Sequence, residues 1–282
     1  MSTKVSFQKN FTIGGDLTVR RMGYGAMRIT GKGIWGPPAN KAEAIKVLQR
    51  AVELGVDFID TADSYGPNVS EELIADALYP YPAGLVIATK GGLMRSGPDQ
   101  WTPNAHPDYL KQALEGSLNR LKKDSIDLYQ LHRIDPKVPF EKTLEFLHGV
   151  QEKGLIKHIG LSEVSVKEIQ KAKEYIEVVS VQNKYSIDDR KWEPVLKYCE
   201  ENDMAFIPWF PVNAGNTGGM ATIEKVAGKL GVTVHQLALS WLLHHSPNIL
   251  LIPGTSSVNH LEENLKAEKI ELTEETIEEL EG

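Results

Sequence analysis

Four side chains with acid, base or hydrogen-bonding chemistry stand at or just after the ends of apolar stretches. They are Asp60 and Tyr65 in VDFIDTADSYG, Lys90 in IATK, and His132 in DLYQLH. A carbonyl that accepts a hydride becomes an alkoxide and needs a proton from a nearby acid. The phenol of Tyr65 can be that acid if the Lys90 ammonium steadies its anion and Asp60 keeps the lysine charged. An imidazole such as that of His132 can hydrogen-bond the substrate oxygen, so these residue types predict carbonyl reduction.

A lysine at the end of a strand also allows a different reaction. Schiff-base aldolases use such a lysine as a nucleophile toward a carbonyl substrate. Asp60 and Tyr65 could then serve proton transfer, so an aldolase that uses Lys90 stays open as an alternative.

The elements that must position these residues follow a regular rhythm. A short apolar run, a polar loop and an amphipathic helix pattern recur eight times. The strand candidates are RRMGYGAM near residue 22, VDFIDTA from Val56, GLVIATK from Gly84, IDLYQLH from Ile126, IKHIGLS from Ile156, VVSVQNK from Val178, MAFIPWF from Met204 and NILLIPGT from Asn248. Near-continuous apolar strands are typical of a parallel sheet buried on both faces. The sequence therefore predicts an α/β fold, a (β/α)8 TIM barrel, in which strand tips two to four converge on one pocket.

Local signals refine this prediction. Asn40 is a candidate cap of the first helix and Ser70 of the second, while Gly55 and Gly154 close helices. The opening KVSFQKNFTIGGDLTV predicts a β-hairpin over the bottom of the barrel. GGMATIEKVAGKLG and TVHQLALSWLLHH predict extra helices near the C-terminus. With no break in composition, residues 1–282 are expected to form one domain.

Bulk composition limits the class of partner. The 282 residues are 41% hydrophobic and 24% charged, with a formal net charge of −7. Scattered basic residues and this acidic balance argue against nucleic acid or an anionic membrane as the main partner. The chain holds no apolar run of the roughly 20 residues that span a bilayer, and its first ten residues hold no signal-peptide core. We expect a cytoplasmic enzyme that acts on a small molecule and has no metal site.

The four residues, in their order and context, resemble the aldo-keto reductase family, and the resemblance covers almost the whole chain. It implies that Asp60, Tyr65, Lys90 and His132 form a catalytic tetrad, with Tyr65 as the proton donor. The patterns GIWGPP and YGP resemble bacterial pyridoxal-reductase-like members. Because some relatives are regulatory subunits that keep the cofactor site, a non-catalytic subunit is a second alternative.

The sequence contains no dinucleotide-binding glycine fingerprint, since Gly23 and Gly25 lack the third glycine. Instead LIPGTSSVNHLEEN places hydroxyls and amides at a helix start, which favours a phosphate. The segment is similar to the family's site for the adenosine 2′-phosphate and adenine, which implies NADPH. The residues implied for the phosphate are Thr255, Ser256, Ser257 and His260, and those for the adenine are Glu263 and Asn264. NADH is less favoured but stays possible, because this chain has Gly254 and His260 where many relatives carry Lys and Arg.

The resemblance also implies residues around the nicotinamide and the substrate. It assigns Ser162, Glu163 and Gln182 to the carboxamide region, Trp209 to stacking on the ring, and Gly25, Ala26 and Met27 to a close backbone approach. Glu163 stands where Asn is commonest, and an ionised carboxylate can accept from the carboxamide NH2 but cannot donate to its oxygen. Trp35 and Trp101 are candidates for an apolar substrate mouth.

Overall fold

The computed structural model describes residues 4–210 and 217–282. Its strands are β1 (Lys4–Val5), β2 (Asn10–Ile13), β3 (Leu17–Arg20), β4 (Tyr24–Gly25), β5 (Phe58–Asp60), β6 (Val86–Gly91), β7 (Leu93–Gly97), β8 (Gln100–Pro103), β9 (Ile126–Leu131), β10 (Ile156–Ser162), β11 (Val178–Gln182), β12 (Ala205–Phe206) and β13 (Leu272–Thr273). Its helices are α1 (Lys41–Glu53), α2 (Val69–Leu78), α3 (Pro107–Leu121), α4 (Phe140–Glu152), α5 (Val166–Ala172), α6 (Glu193–Glu201), α7 (Thr217–Leu230), α8 (Val234–His245), α9 (Val258–Leu265) and α10 (Glu274–Glu281).

Seven of these strands form one curled parallel sheet in the order β12-β11-β10-β9-β6-β5-β4. The residues of β5, β6, β9 and β11 are all buried, which is why their sequences read as near-continuous apolar runs. Helices alternate with these strands and pack on the sheet through the large hydrophobic cluster. The predicted α/β architecture with a parallel sheet is therefore confirmed.

The eighth predicted strand is not a regular strand, and on this point the eight-stranded prediction was too simple. The segment 249–251 makes one isolated parallel bridge to Phe206 and another to Met22. Its amide nitrogens donate to the carbonyl oxygens of Phe206 at 2.9 Å and Arg21 at 2.8 Å. These bonds join the two edges of the sheet through a short extended segment in place of a full ladder.

The predicted N-terminal hairpin is present as the antiparallel pair β2–β3. Its turn uses Gly14 and Gly15 at φ +57° and +82°, a left-handed region that glycine enters without steric cost. Ile13 and Val19 of the hairpin pack with Phe58, Val86 and other inward side chains of the sheet in a second hydrophobic cluster. The hairpin thus covers the end of the sheet opposite the strand tips, whereas β1 pairs with β13 instead.

The helix boundaries follow the local signals with one exception. The Asn40 side chain accepts a hydrogen bond from the Glu43 amide at 3.0 Å, and Gly55 and Gly154 follow the ends of α1 and α4 with positive φ. Ser70 is not a cap, because α2 begins at Val69. Its buried hydroxyl instead donates to the carbonyl of Ala26 at 2.9 Å.

Four further elements lie outside the alternation of sheet strands and helices, near the strand tips or the C-terminus. The predicted extra helices are confirmed as α7 and α8. The hairpin β7–β8, which directly follows β6, and the C-terminal helix α10 were not predicted. Among the helices of the described residues, none combines the length and apolarity required to cross a bilayer.

The packing of the hairpin predicts unequal effects of two neighbouring substitutions. Ile13→Ala should lower the free energy of unfolding by about 2–5 kcal/mol, because the buried side chain would leave a cavity inside the sheet. The exposed neighbour Thr12→Ala is the control, since it loses only a surface hydrogen bond to Thr18 at 2.9 Å, and it should change this free energy by about 1 kcal/mol or less. Urea unfolding followed by circular dichroism measures both values. Equal effects would show that the hairpin contributes no packing energy.

Candidate active site

The sheet brings the four residues singled out in the sequence to one edge. Asp60 ends β5, Lys90 is the fifth residue of β6, and His132 follows the last residue of β9. These three strands are direct neighbours in parallel register, with Asp60 opposite Ala88 and Lys90 opposite Gln130. Tyr65 lies in the loop after β5 and is only 7% exposed. Because parallel strands present their carboxyl ends at the same edge, all four side chains meet there.

Lys90 and Asp60 form a buried ion pair at the centre of this cluster. The Lys90 Nζ donates to Asp60 Oδ1 at 2.6 Å and to the carbonyl of Thr61 at 2.8 Å. The two side chains are 0% and 2% exposed. Burial disfavours the ammonium, but the nearby Asp60 carboxylate and Tyr65 outweigh it and raise the pKa of Lys90. The lysine is therefore a fixed cation at neutral pH.

The other oxygen of Asp60 is held by two amides. Gln130 Nε2 donates to Asp60 Oδ2 at 2.9 Å, and Gln182 Nε2 donates to it at 3.0 Å. Sequence reasoning assigned Gln182 to the nicotinamide and missed Gln130. The sequence signal that would have identified Gln130 is its position two residues before His132, because side chains two residues apart lie on the same face of a strand.

The phenol of Tyr65 lies within reach of the ion pair. Its hydroxyl oxygen is 3.5 Å from Lys90 Nζ, and its ring stands edge-on to that of His132 with centroids 5.8 Å apart. Burial raises the pKa of Tyr65 and the charge of Lys90 opposes this effect, with a net rise. The phenol is therefore protonated at neutral pH and has a cation beside it.

His132 is a neutral imidazole in this setting. Burial, followed by the charges of Lys90, Arg133 and Arg95, holds the pKa of His132 well below its usual range. Its Nδ1 lies 3.3 Å from the hydroxyl of Ser64. When that hydroxyl donates to Nδ1, the ring hydrogen is on Nε2 and can bind a substrate oxygen.

The residues assigned to the nicotinamide lie at or just after neighbouring strand ends, and Ser162, Glu163 and Trp209, like Gln182, have contacts that the sequence did not indicate. Ser162 ends β10 and its hydroxyl accepts from Arg133 at 2.9 Å. Glu163 Oε1 accepts from the indole nitrogen of Trp209 at 2.6 Å and from the amide of Lys184 at 2.7 Å. The carboxylate of Glu163 thus anchors Trp209, and the expected contact with the carboxamide stays a prediction.

A cavity of about 550 Å³ lies between the first loop and the last one. The lining residues are Met27, Arg28, Thr30, Gly31, Lys32, Gly33, Ile34, Asp99, Gly254, Thr255 and Ser256. Of the residues assigned to the cofactor, it includes Met27, Thr255 and Ser256. Arg28 and Lys32 are exposed cations that sequence reasoning missed, and no ion pair within 4 Å involves either of them among the described residues.

The remaining assigned residues flank this cavity in the fold. Gly25 and Ala26 are buried just before Met27, and a Cβ at Gly25 would stand 2.5 Å from the carbonyl oxygen of Ile252. The backbone of the first strand therefore touches the last segment. The others belong to the start and body of α9, where Asn264 is buried and His260 and Glu263 are exposed, with Ser257 at the cap position.

The two candidate substrate tryptophans have different positions. The ring of Trp101 stands edge-on to Tyr65 and His132, with centroids 6.5 and 6.4 Å away. Trp35 makes no ring contact of this kind with the four residues. It makes a bridge to Gly66 and lies 5.7 Å from the guanidinium of Arg95. The structure thus brings Trp101 to the site and leaves Trp35 at its edge.

Arg95, which was not predicted, holds this side of the site together. Its guanidinium lies 3.5 Å from the centroid of the Trp101 ring. Its nitrogens donate to backbone carbonyls of three loops, namely those of Gly33, Ile34, Ser64, Gly97 and Gln100. These bonds hold the Trp101 ring in place beside Tyr65 and His132.

Comparisons with known proteins agree with this geometry. Residues 21–282 match the model of the aldo/keto reductase family. An uncharacterized oxidoreductase of Schizosaccharomyces pombe is 52% identical over 93% of this chain and 85% of its own length. Pyridoxine 4-dehydrogenase of Escherichia coli is 42% identical over 96% of this chain and 97% of its own. This relative supports the resemblance to pyridoxal-reductase-like members.

A solved structure gives the same result for the fold. A thermostable aldo-keto reductase in complex with the inhibitor epalrestat superposes with a TM-score of 0.84 at 31% identity, over 97% of this chain and 99% of that one. By these matches the chain belongs to the aldo/keto reductase family of oxidoreductases.

Proposed function

We propose that this chain reduces aldehydes or ketones to alcohols with NADPH, and that Tyr65 donates the proton. The observation that carries the proposal is the buried Lys90 ammonium, held by Asp60 at 2.6 Å and placed 3.5 Å from the Tyr65 hydroxyl. A cation at that distance stabilises the phenolate that develops as the proton leaves. The Nε2 hydrogen of His132 orients the substrate oxygen.

Several features support NADPH as the cofactor, which supplies the hydride when bound. The cavity combines two cations, Arg28 and Lys32, with the hydroxyls of Thr255 and Ser256. Phosphate oxygens bind both kinds of group. A Cβ at Gly254 would stand 2.8 Å from the Gly25 carbonyl oxygen and 3.5 Å from Arg28 Cγ. Arg28 thus lies beside the position where many relatives carry a lysine.

The aldolase alternative is less favoured by the state of Lys90. Schiff-base formation requires a neutral amine as the nucleophile. Asp60 holds Lys90 as an ammonium with a raised pKa, which opposes that role. Borohydride trapping of a carbonyl substrate on Lys90 would revive the alternative. A regulatory subunit would show little turnover of a panel of aldehydes, and Tyr65→Phe would reduce that turnover only slightly.

Pyridoxal is the first aldehyde to test in that panel. The Escherichia coli relative is named for an oxidation at position 4 of pyridoxine. The reverse of such a reaction is the reduction of an aldehyde, which is the chemistry proposed for Tyr65 and His132.

We also propose that residues 1–282 fold as one domain. One continuous hydrophobic cluster includes residues from Met22 to Leu280. The cytoplasmic location expected from the sequence stays a prediction.

The first prediction of this mechanism concerns the phenol. Tyr65→Phe should lower kcat for aldehyde reduction by at least about 10²-fold, because the substrate oxygen would lose its acid. The dissociation constant of NADPH, measured by quenching of tryptophan fluorescence, should change less than about threefold. An equal loss of cofactor binding would contradict the role assigned to Tyr65.

The second prediction concerns pH. Because the pKa of His132 lies well below its usual range and that of Tyr65 is raised, both groups keep their neutral forms from pH 6 to pH 8. The kcat/KM for aldehyde reduction should therefore be flat over this interval. An ordinary histidine would titrate near pH 6.5, so a fall in kcat/KM with that midpoint would contradict the proposed state of His132.

The third prediction concerns His260. If it faces the 2′-phosphate, His260→Ala should weaken NADPH binding about tenfold, as expected for one charge-assisted hydrogen bond, and NADH binding less. Asn259→Ala, at the exposed neighbouring position, is the control. An identical effect on both nucleotides would remove His260 from the phosphate site.

A further inference from the structure

Arg133 is a half-buried cation beside the four catalytic candidates. It follows His132 at the carboxyl end of β9, and its Nη1 donates to the carbonyl of His132 at 2.6 Å and to the hydroxyl of Ser162 at 2.9 Å. These two bonds place the guanidinium between two strand tips, at the same edge of the sheet as Tyr65 and Lys90.

Most of the hydrogen-bonding capacity of Arg133 is unused in the part of the chain that the structure describes. Among the described residues only Nη1 has hydrogen-bond partners, which leaves Nε and Nη2 without any, and no carboxylate lies within 4 Å of the guanidinium. Burial lowers the pKa of Arg133, and the charge of Glu163 offsets this effect only in part. A partly buried cation without a counter-ion is costly. An anionic ligand would remove that cost.

The other two cations that act on His132 are already engaged. Lys90 is paired with Asp60, and Arg95 donates to backbone carbonyls while it stacks on Trp101. Of the three cations whose charges act on His132, Arg133 is therefore the one whose donors remain for a ligand among the described residues. Trp101 adds a flat apolar wall against which a planar ring can pack.

We propose that Arg133 binds an anionic oxygen substituent of the substrate, so that planar aromatic aldehydes with such a group are preferred over neutral analogues of the same size. This inference rests on the proposed carbonyl reduction. It adds the class of substrate, which the four catalytic candidates do not determine. A carboxylate and a phenolate share the chemistry, since both offer a charged oxygen to the planar guanidinium.

The test compares matched acid and ester substrates in the full chain with NADPH. The three carboxybenzaldehyde isomers are compared with the corresponding methyl formylbenzoates. At a pH above the pKa of the 2-hydroxybenzaldehyde phenol, 2-hydroxybenzaldehyde is also compared with 2-methoxybenzaldehyde. For at least one acid isomer, kcat/KM should exceed that of its ester by about tenfold or more, mainly through KM. The pair that shows the preference identifies carboxylate or phenolate as the preferred anion.

Variants of Arg133 assign the preference to this side chain. Arg133→Met should lower the acid-to-ester ratio of kcat/KM by about tenfold or more, and Arg133→Lys should keep part of it, because the charge remains without the planar fork. Arg190→Met is the control, because the Arg190 guanidinium lies away from the site, 4.9 Å from the centroid of the Trp241 ring. The acid-to-ester ratio of this variant should equal that of the unsubstituted chain. The use of a ratio corrects for any general loss caused by disturbing His132 or Ser162.

Two outcomes would overturn the inference while the proposed function stands. One is reduction of acids and esters with equal efficiency, and the other is an unchanged ratio in Arg133→Met. If no aldehyde is reduced, the proposed function fails instead. In that case, calorimetric titration of the NADP⁺ complex with 4-(hydroxymethyl)benzoate and its methyl ester still tests Arg133. Equal binding of the two compounds, or a preference for the acid that persists in Arg133→Met, would overturn the inference.

Discussion

The site depends on one buried ion pair between Lys90 and Asp60. A lone ammonium or carboxylate in this position would be expensive, because both side chains are almost completely removed from water. The pair is tolerable because each group is satisfied elsewhere as well, Lys90 by the Thr61 carbonyl and Asp60 by the amides of Gln130 and Gln182. The charge of this fixed cation opposes the rise in the pKa of Tyr65 and lowers the pKa of His132.

The charge of the site is unbalanced toward the positive side. Lys90, Arg95 and Arg133 all act on His132, and together with burial they keep its imidazole neutral. A neutral imidazole can donate a hydrogen bond without competing with the phenol for the role of acid. The same excess of positive charge favours a ligand that brings negative charge into this part of the site.

Stability and chemistry are separated along the axis of the sheet. At the amino ends of the strands the β2–β3 hairpin closes the interior with Ile13 and Val19. Nearby, the buried guanidinium of Arg21 donates to backbone carbonyls that include those of Ile249 and Leu243. At the carboxyl ends the loops carry polar groups instead. This arrangement lets the loops vary their chemistry without loss of core packing.

The sequence by itself determined the seven strands of the parallel sheet, both ends of α1, the N-terminal hairpin and the four polar residues at the strand tips, because apolar periodicity and turn chemistry are local properties. Only the tertiary structure decided the contacts between distant segments. It reduced the eighth strand to two bridges, turned the Gln182 amide to Asp60 and tied the Glu163 carboxylate to Trp209. Among the residues that the structure describes, it also left Arg133 without a carboxylate within 4 Å. Such contacts depend on strand register and loop closure, which bring together residues that no local pattern connects.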